Sequence, residues 1–227
     1  MRRSEINQII IESIDFIESF GFFLPPFAYN KIGKMILEKE SYTNIINCKL
    51  GWDITDYGKK SFRDIGLCLF TIRNGNLIKS DNNIIPYAEK IMISRKNQIS
   101  PMHRHIVKTE DIINRGGASL AIEMFNSNPR GNLDFNKQVS LLINSQHHFL
   151  KPGEIIKIDP GESVTLFPGN WHKFWGDGGD VLIGEVSSIN DDNNDNIFYE
   201  KILRFSEVEE DEDPIHLLVS DYKKYII

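Results

Sequence analysis

The chain is poor in cysteine. Cys48 and Cys68 are the only two in 227 residues, and neither belongs to a paired metal-ligand spacing. A thiolate metal site is thereby excluded, and a reducing cytoplasm is the simplest setting. Long hydrophobic runs are also missing, and nothing approaches the roughly 18 apolar residues that a membrane-spanning helix needs. The amino-terminal stretch MRRSEINQIIIESIDFIESF carries two arginines ahead of an apolar-rich segment, which invites a signal-peptide reading. Glu5, Glu12, Asp15 and Glu18 interrupt that segment, and it has no small-residue cleavage site. Positive charge is not in excess either. A formal charge of -6 argues against a nucleic-acid partner, which calls for a basic patch, and against an anionic membrane surface. A neutral small-molecule substrate fits better. With 41% hydrophobic and 26% charged residues, the chain has the composition of an ordinary globular protein with a sizeable core. All-β barrels of this length are often single domains.

The stretch PMHRHIVKTEDIINRGG, Pro101 to Gly117, spaces three candidate metal ligands as His103, His105 and Glu110. Alternate residues of a strand face the same side, so the two histidines point into one cavity. Glu110 is far enough along to return on a neighbouring turn or strand with an oxygen ligand. Pro168-Gly169 marks a turn, and His172 opens the strand after it, supplying a fourth ligand. Three nitrogens and a carboxylate suit a divalent ion such as manganese, iron, cobalt, nickel or zinc.

His-x-His, four residues, Glu, six residues, Gly117 resembles the first motif of the cupin superfamily. Gly161 through Pro168-Gly169 to His172 resembles the second, with one residue more than usual between Gly161 and Pro168. A closer resemblance covers nearly the whole chain. The strings WDITDYG (Trp52 to Gly58), YAEKIMIS (Tyr87 to Ser94), EDIINRGG (Glu110 to Gly117), GEVSSINDDNNDN (Gly184 to Asn196) and RFSEVEEDEDPIHLL (Arg204 to Leu218) are similar to the bacterial D-lyxose isomerase family of cupins. That resemblance implies an all-β core, a cupin-type antiparallel β-barrel or jelly roll with N-terminal helices. It also implies a metal-dependent aldose-ketose isomerase, usually with manganese, that interconverts D-lyxose and D-xylulose and, secondarily, D-mannose and D-fructose.

The segment 1–50 is expected to be helical and to pack on the barrel, with 51–227 as the barrel domain and its acidic tail. From Ser4 to Phe20, Ile6, Ile9, Ile10, Ile14 and Ile17 share one helical face, with Ser4 as N-cap and Gly21 as the stop. That face packs on its own barrel or, alternatively, crosses to a second subunit; a homodimer is the expected assembly. A second short helix is read at Lys31 to Lys39. Gly66 to Ile72 reads as a strand run bounded by Asn74-Gly75, a turn signal that often marks a tight hairpin. Asp53 and Asp56 are read as turn caps. Ile84 to Ser94 alternates, placing Ala88, Lys90, Met92 and Ser94 on one face. Ser119 to Asn126, Gln138 to Ile143 and Val181 to Ser188 are further strands. His147 and His148 are adjacent, so on a strand they point apart and do not chelate one ion. The acidic loop Asn190 to Asn196 lacks the Gly and Glu of an EF-hand and is read as turn-capping. The run Glu207 to Asp213 is read as a solvated tail whose first members could close over a polar site.

Two mid-strand charges remain. Glu185 lies between Ile183 and Ser187, where a carboxylate needs a partner or a task, and it is the candidate general base, with a pKa expected to be raised by burial. Lys90, inside a string that carries the family resemblance, is the candidate charge partner for an oxyanion. Two other classes compete with the isomerase: a cupin dioxygenase, marked by redox-active iron and oxygen uptake, and a non-enzymatic sugar-binding cupin domain.

Overall fold

Runs of alternating apolar residues, punctuated by Pro-Gly steps, build an antiparallel sheet that bends twice on itself. The computed structural model describes residues 1–76 and 85–226. Its strands are β1 Gly51–Thr55, β2 Leu67–Arg73, β3 Tyr87–Ser94, β4 Ser100–His105, β5 Glu110–Ser127, β6 Leu133–Asp134, β7 Val139–Ile143, β8 Gln146–Leu150, β9 Glu154–Ile158, β10 Ser163–Leu166, β11 Trp171–Ser188 and β12 Asn196–Phe198. Ile84, expected to start the third strand, lies outside the described residues. The main path runs β1-β2-β3-β11-β5-β10-β7-β8, while β4 pairs with β11 and β12, and β9 pairs with β5. Each strand ladder among the described residues is antiparallel.

β5 and β11 are the two corners of the barrel. The first half of β5 pairs with β10 and its second half with β9. Likewise β11 pairs with β4 near Trp171 and with β3 beyond Val181. The expected strands Ser119 to Asn126 and Val181 to Ser188 are therefore second halves of longer ones. Gly116-Gly117 and Gly178-Gly179 lie where the two strands meet at a register shift between Asp177 and Val181. Gly117 has φ +97°, and a Cβ there would come within 2.2 Å of the Asp180 carbonyl oxygen, so only glycine allows the close approach. Asn74-Gly75 also departs from expectation. β2 and β3 do pair, with Thr71 opposite Lys90, but residues 74–86 lie between them in the sequence, so Asn74-Gly75 is not by itself the link between these two strands. The Asn74 amide instead donates to the carbonyls of Cys48 and Asn190 and accepts from Asn190 N, tying the loop after β11 to the end of β2.

The period-2 pattern divides the apolar side chains between two cores. Met92, Ile112, Leu120, Ile122 and Leu166 fill the barrel, whereas Ile91, Ile93, Trp52 and Phe70 point outward to a helix, α1 Arg3–Ser19. Ile6, Ile10 and Ile17 of α1 are fully buried against them. Each such side chain contributes roughly 1.5–3 kcal/mol of transfer free energy. Two shorter helices follow, α2 Ile32–Leu37 and α3 Thr43–Asn47.

α1 begins one residue ahead of Ser4, and Ser4 is not its cap. The free N–H groups of the first turn are answered from the other end of the chain. Arg3 N donates to Glu209 O, and Ser4 N and Oγ donate to the Asp211 carboxylate. Asn7 donates to Glu212, and the N-terminal ammonium to Glu207 O. The run Glu207 to Asp213 is thus no free tail: its acids dock on the positive end of the helix dipole. Arg3 itself is buried and forks between Glu210 and Asp221. Replacing Arg3 by Met should destabilise the fold by about 3 kcal/mol, because Asp221 would be left buried and unpaired; a denaturant titration reads this directly. The hydrogen bond from Arg3 also holds the Glu210 carboxyl down at about 2. Its contribution is therefore complete above the usual carboxylate range and fades as pH falls toward 2.

Candidate functional site

Strand geometry delivers His103 and His105 to one side of β4, with Arg104 turned outward to donate to Gly131 O. The β4–β11 pairing sets His172 directly opposite His103, with ring centroids 4.1 Å apart. All three imidazoles are buried, and one ring nitrogen from each lies within 4.8 Å of the others. Nδ1 of His103 is 2.8 Å from Pro101 O, and Nδ1 of His172 is 3.2 Å from Asn170 O. A backbone carbonyl can only accept, so each Nδ1 carries the proton and each Nε2 presents a lone pair. Burial, then the neighbouring His172 and His105, pushes the His103 pKa well below its usual value. Burial likewise brings His172 down to about 4, so both rings are neutral near pH 7.

Glu110 opens β5, and its Oε1 stands 3.3 Å from Nε2 of both His105 and His172. Oε1 is buried and has no hydrogen-bond partner among the described residues. Burial would raise its pKa, but Lys108 and then His105 outweigh that and hold the carboxyl well below the usual range. A carboxylate oxygen facing the His172 nitrogen lone pair is repulsive unless a cation lies between them. The donor set therefore fits a divalent ion, and the buried histidine group could hold one.

Beside this group lies a buried ion network. Glu185, in mid-β11, is paired across the sheet with Lys90 of β3. Lys90 Nζ is 3.2 Å from Glu185 Oε1 and 2.6 Å from Asn190 Oδ1. Lys108 Nζ bridges the two carboxylates, 2.7 Å from Glu110 Oε2 and 2.9 Å from Glu185 Oε1. Ser187 Oγ donates to Glu185 as well. The expected rise in the Glu185 pKa is not what the structure holds. Burial does push it up, but Lys108 and Lys90 together bring it below the ordinary value. Lys108 moves the opposite way, its loss of solvation overcome by Glu110 and Glu185.

All six residues singled out from the sequence, His103, His105, Glu110, His172, Lys90 and Glu185, line one cavity. His147 and His148 lie on β8, outside it. Lys108, Asp192 and Arg204 line it too and were missed. Asp56 caps its turn as expected, accepting from Gly58 N and Lys60 N. Asp53 does not: it is buried and accepts from Arg204 Nη2 at 2.7 Å. The acidic loop divides in the same way. Asp195 accepts from the N–H groups of Ile106, Val107 and Lys108, and so shapes the turn between His105 and Glu110. Asn190 and Asp192, by contrast, enter the site. Burial alone would raise the Asp192 pKa, but Arg204, then Lys90 and Lys108, hold it far below the usual range. Glu207 lies elsewhere, against Met1 and Asp56.

Known proteins agree with this architecture. A family model described as D-lyxose isomerase matches residues 1–222. A D-lyxose/D-mannose isomerase of Serratia proteamaculans is 41% identical over 229 residues, covering 100% of both chains. A protein of the same description from Escherichia coli O157:H7 is 39% identical over 233 residues, covering 99% of this chain and 100% of that one. Among solved structures, Cellulomonas parahominis L-ribose isomerase without ligand superposes with a TM-score of 0.61 at 11% identity, over 92% of this chain and 98% of its own. Acinetobacter sp. DL28 L-ribose isomerase in complex with L-ribose gives 0.60 at 12%, over 91% and 98%. At such low identity these two speak for the fold alone, a cupin-type β-barrel with N-terminal helices. The match of the family model over almost the full length, with two relatives near 40% identity, shows that this chain belongs to the D-lyxose isomerase family.

Proposed function

We propose that the protein is a metal-dependent aldose-ketose isomerase that interconverts D-lyxose and D-xylulose and, secondarily, D-mannose and D-fructose. The observation that carries this reading is the orphaned Oε1 of Glu110, set against the neutral ring of His172 and adjoining a network of two lysines and a second carboxylate. His103, His105, Glu110 and His172 would hold the ion. Bound there, a divalent metal, manganese in this reading, supplies Lewis acidity toward the oxygens on carbons 1 and 2 of an open-chain sugar.

The remaining work falls to this chain's own residues. Glu185 is ionised and takes the proton from C2, returning it to C1, while the hydroxyl proton on O2 passes to O1. Because Lys108 and Lys90 keep it a weak base, the step depends on acidifying the C–H bond rather than on a strong acceptor. The two ammonium groups contribute to that by favouring negative charge on the substrate oxygens. Burial of the site excludes water that would screen these charges.

Metal analysis of the purified protein, combined with a screen of pentoses and hexoses for aldose-ketose interconversion, tests the reading. Oxygen uptake with bound iron and no interconversion would favour the dioxygenase class instead. Removal of metal by chelation should abolish turnover. Re-addition should restore it best with manganese or cobalt, which accept six ligands and a mixed nitrogen and oxygen set. Zinc prefers four ligands and should restore less. Full activity with zinc alone would argue against simultaneous engagement of two sugar oxygens.

A further inference from the structure

The side chain of Arg204 is only 13% exposed, and its two terminal nitrogens are treated differently. Nη2 donates to Asp53 and lies 3.5 Å from Asp192 Oδ1. Nη1 is shielded from solvent and meets no acceptor among the described residues. A buried N–H of a cation left unmatched is costly, so this atom calls for a ligand that accepts a hydrogen bond. Oδ1 of Asn196 is a second buried polar atom without a partner among the described residues. Asn196 stands opposite His105 in the β12–β4 ladder, and both it and Arg204 border the cavity of the histidine group. One donor and one acceptor match a hydroxyl group, which both accepts and donates.

Charge balance narrows the ligand further. Asp53 and Asp192 both adjoin the Arg204 guanidinium, while Glu185 and Glu110 engage Lys90 and Lys108. No cation in this group is free to attract a phosphate or carboxylate. The ligand suited to it is an uncharged polyhydroxyl chain.

We propose that Arg204 and Asn196 form a subsite for a hydroxyl of the open-chain sugar remote from carbons 1 and 2, with Asp53 as the positioning residue that aims the guanidinium. This rests on the isomerase reading. Such an interaction is made alike in the ground and transition states, so it belongs in KM and not in kcat.

The test uses the metal-loaded full-length protein with two readouts: D-lyxose kinetics, and calorimetric binding of D-arabinitol, an unreactive five-carbon polyol. Arg204→Lys keeps a charge for Asp53 and Asp192 but has no second N–H fork. It should raise KM by about 10- to 100-fold, weaken D-arabinitol by the same factor and change kcat by no more than about threefold. Asn196→Ala should act in the same direction. Asp53→Asn still offers an acceptor to Nη2 and should raise KM by a smaller factor, with parental kcat and melting temperature. Parental KM and D-arabinitol affinity in both Arg204→Lys and Asn196→Ala would overturn the subsite. If the parent protein interconverted no aldose-ketose pair, the isomerase reading would fall, and D-arabinitol binding alone would still decide the subsite.

Discussion

Replacement of His172 by Ala should remove metal retention and sugar interconversion together. The imidazole is buried opposite His103, is kept neutral by its surroundings, and has Nδ1 fixed on Asn170 O, so that Nε2 is directed at Glu110. No other described side chain stands ready to replace it. The loss should exceed the roughly 10- to 100-fold that removing an outer hydrogen-bond partner of a metal ligand costs. Metal content after desalting, measured beside turnover, reads both effects. His147→Ala is the control, because His147 sits exposed on β8 and should leave both unchanged. A His172→Ala protein that kept its metal and its activity would eliminate the proposed set of four ligands.

The parts of the site that were legible in the sequence are those governed by strand periodicity. His103 and His105 share a face because they are two apart, and Lys90 shares the barrel-facing side of β3 with Met92 for the same reason. Glu185 declared itself as a carboxylate inside an apolar strand. Periodicity says nothing of residues outside strands. Lys108 sits in the turn between two candidate ligands; its one sequence signal was its place two residues before Glu110. Arg204 follows the last strand; it opens one of the strings that carry the family resemblance, but no strand period points it at the site, and its partner Asp53 lies 151 residues away. Asp53 and Asp56 looked alike as turn caps, and only the packing of β1 against that distant segment separates them. The bends in the long strands are hidden for a related reason. A glycine pair marks where the chain departs from regular geometry, but whether the strand ends or bends depends on which neighbours pair with it beyond the corner.

Glu185→Gln preserves the shape of the side chain but removes its basic lone pair and its charge. The fold should tolerate this, since Lys108 keeps its contact with Glu110 and Lys90 keeps Asn190 as an acceptor. If Glu185 carries the proton between C1 and C2, turnover should fall by about 100-fold or more while metal content stays parental, and exchange of the C2 proton with solvent should disappear with it. Lys90→Met separates the two roles. It keeps most of the length of the side chain but removes a charge that favours negative oxygen, so it should slow turnover yet leave exchange measurable. Deuterium incorporation into recovered sugar, followed alongside turnover, tells the variants apart. Exchange at the parental rate in the Glu185→Gln protein would move the base elsewhere in the cavity. Asp192 would then be next in line, because it lines the same space and is held ionised by Arg204 and the two lysines, whereas Glu207 lies outside it.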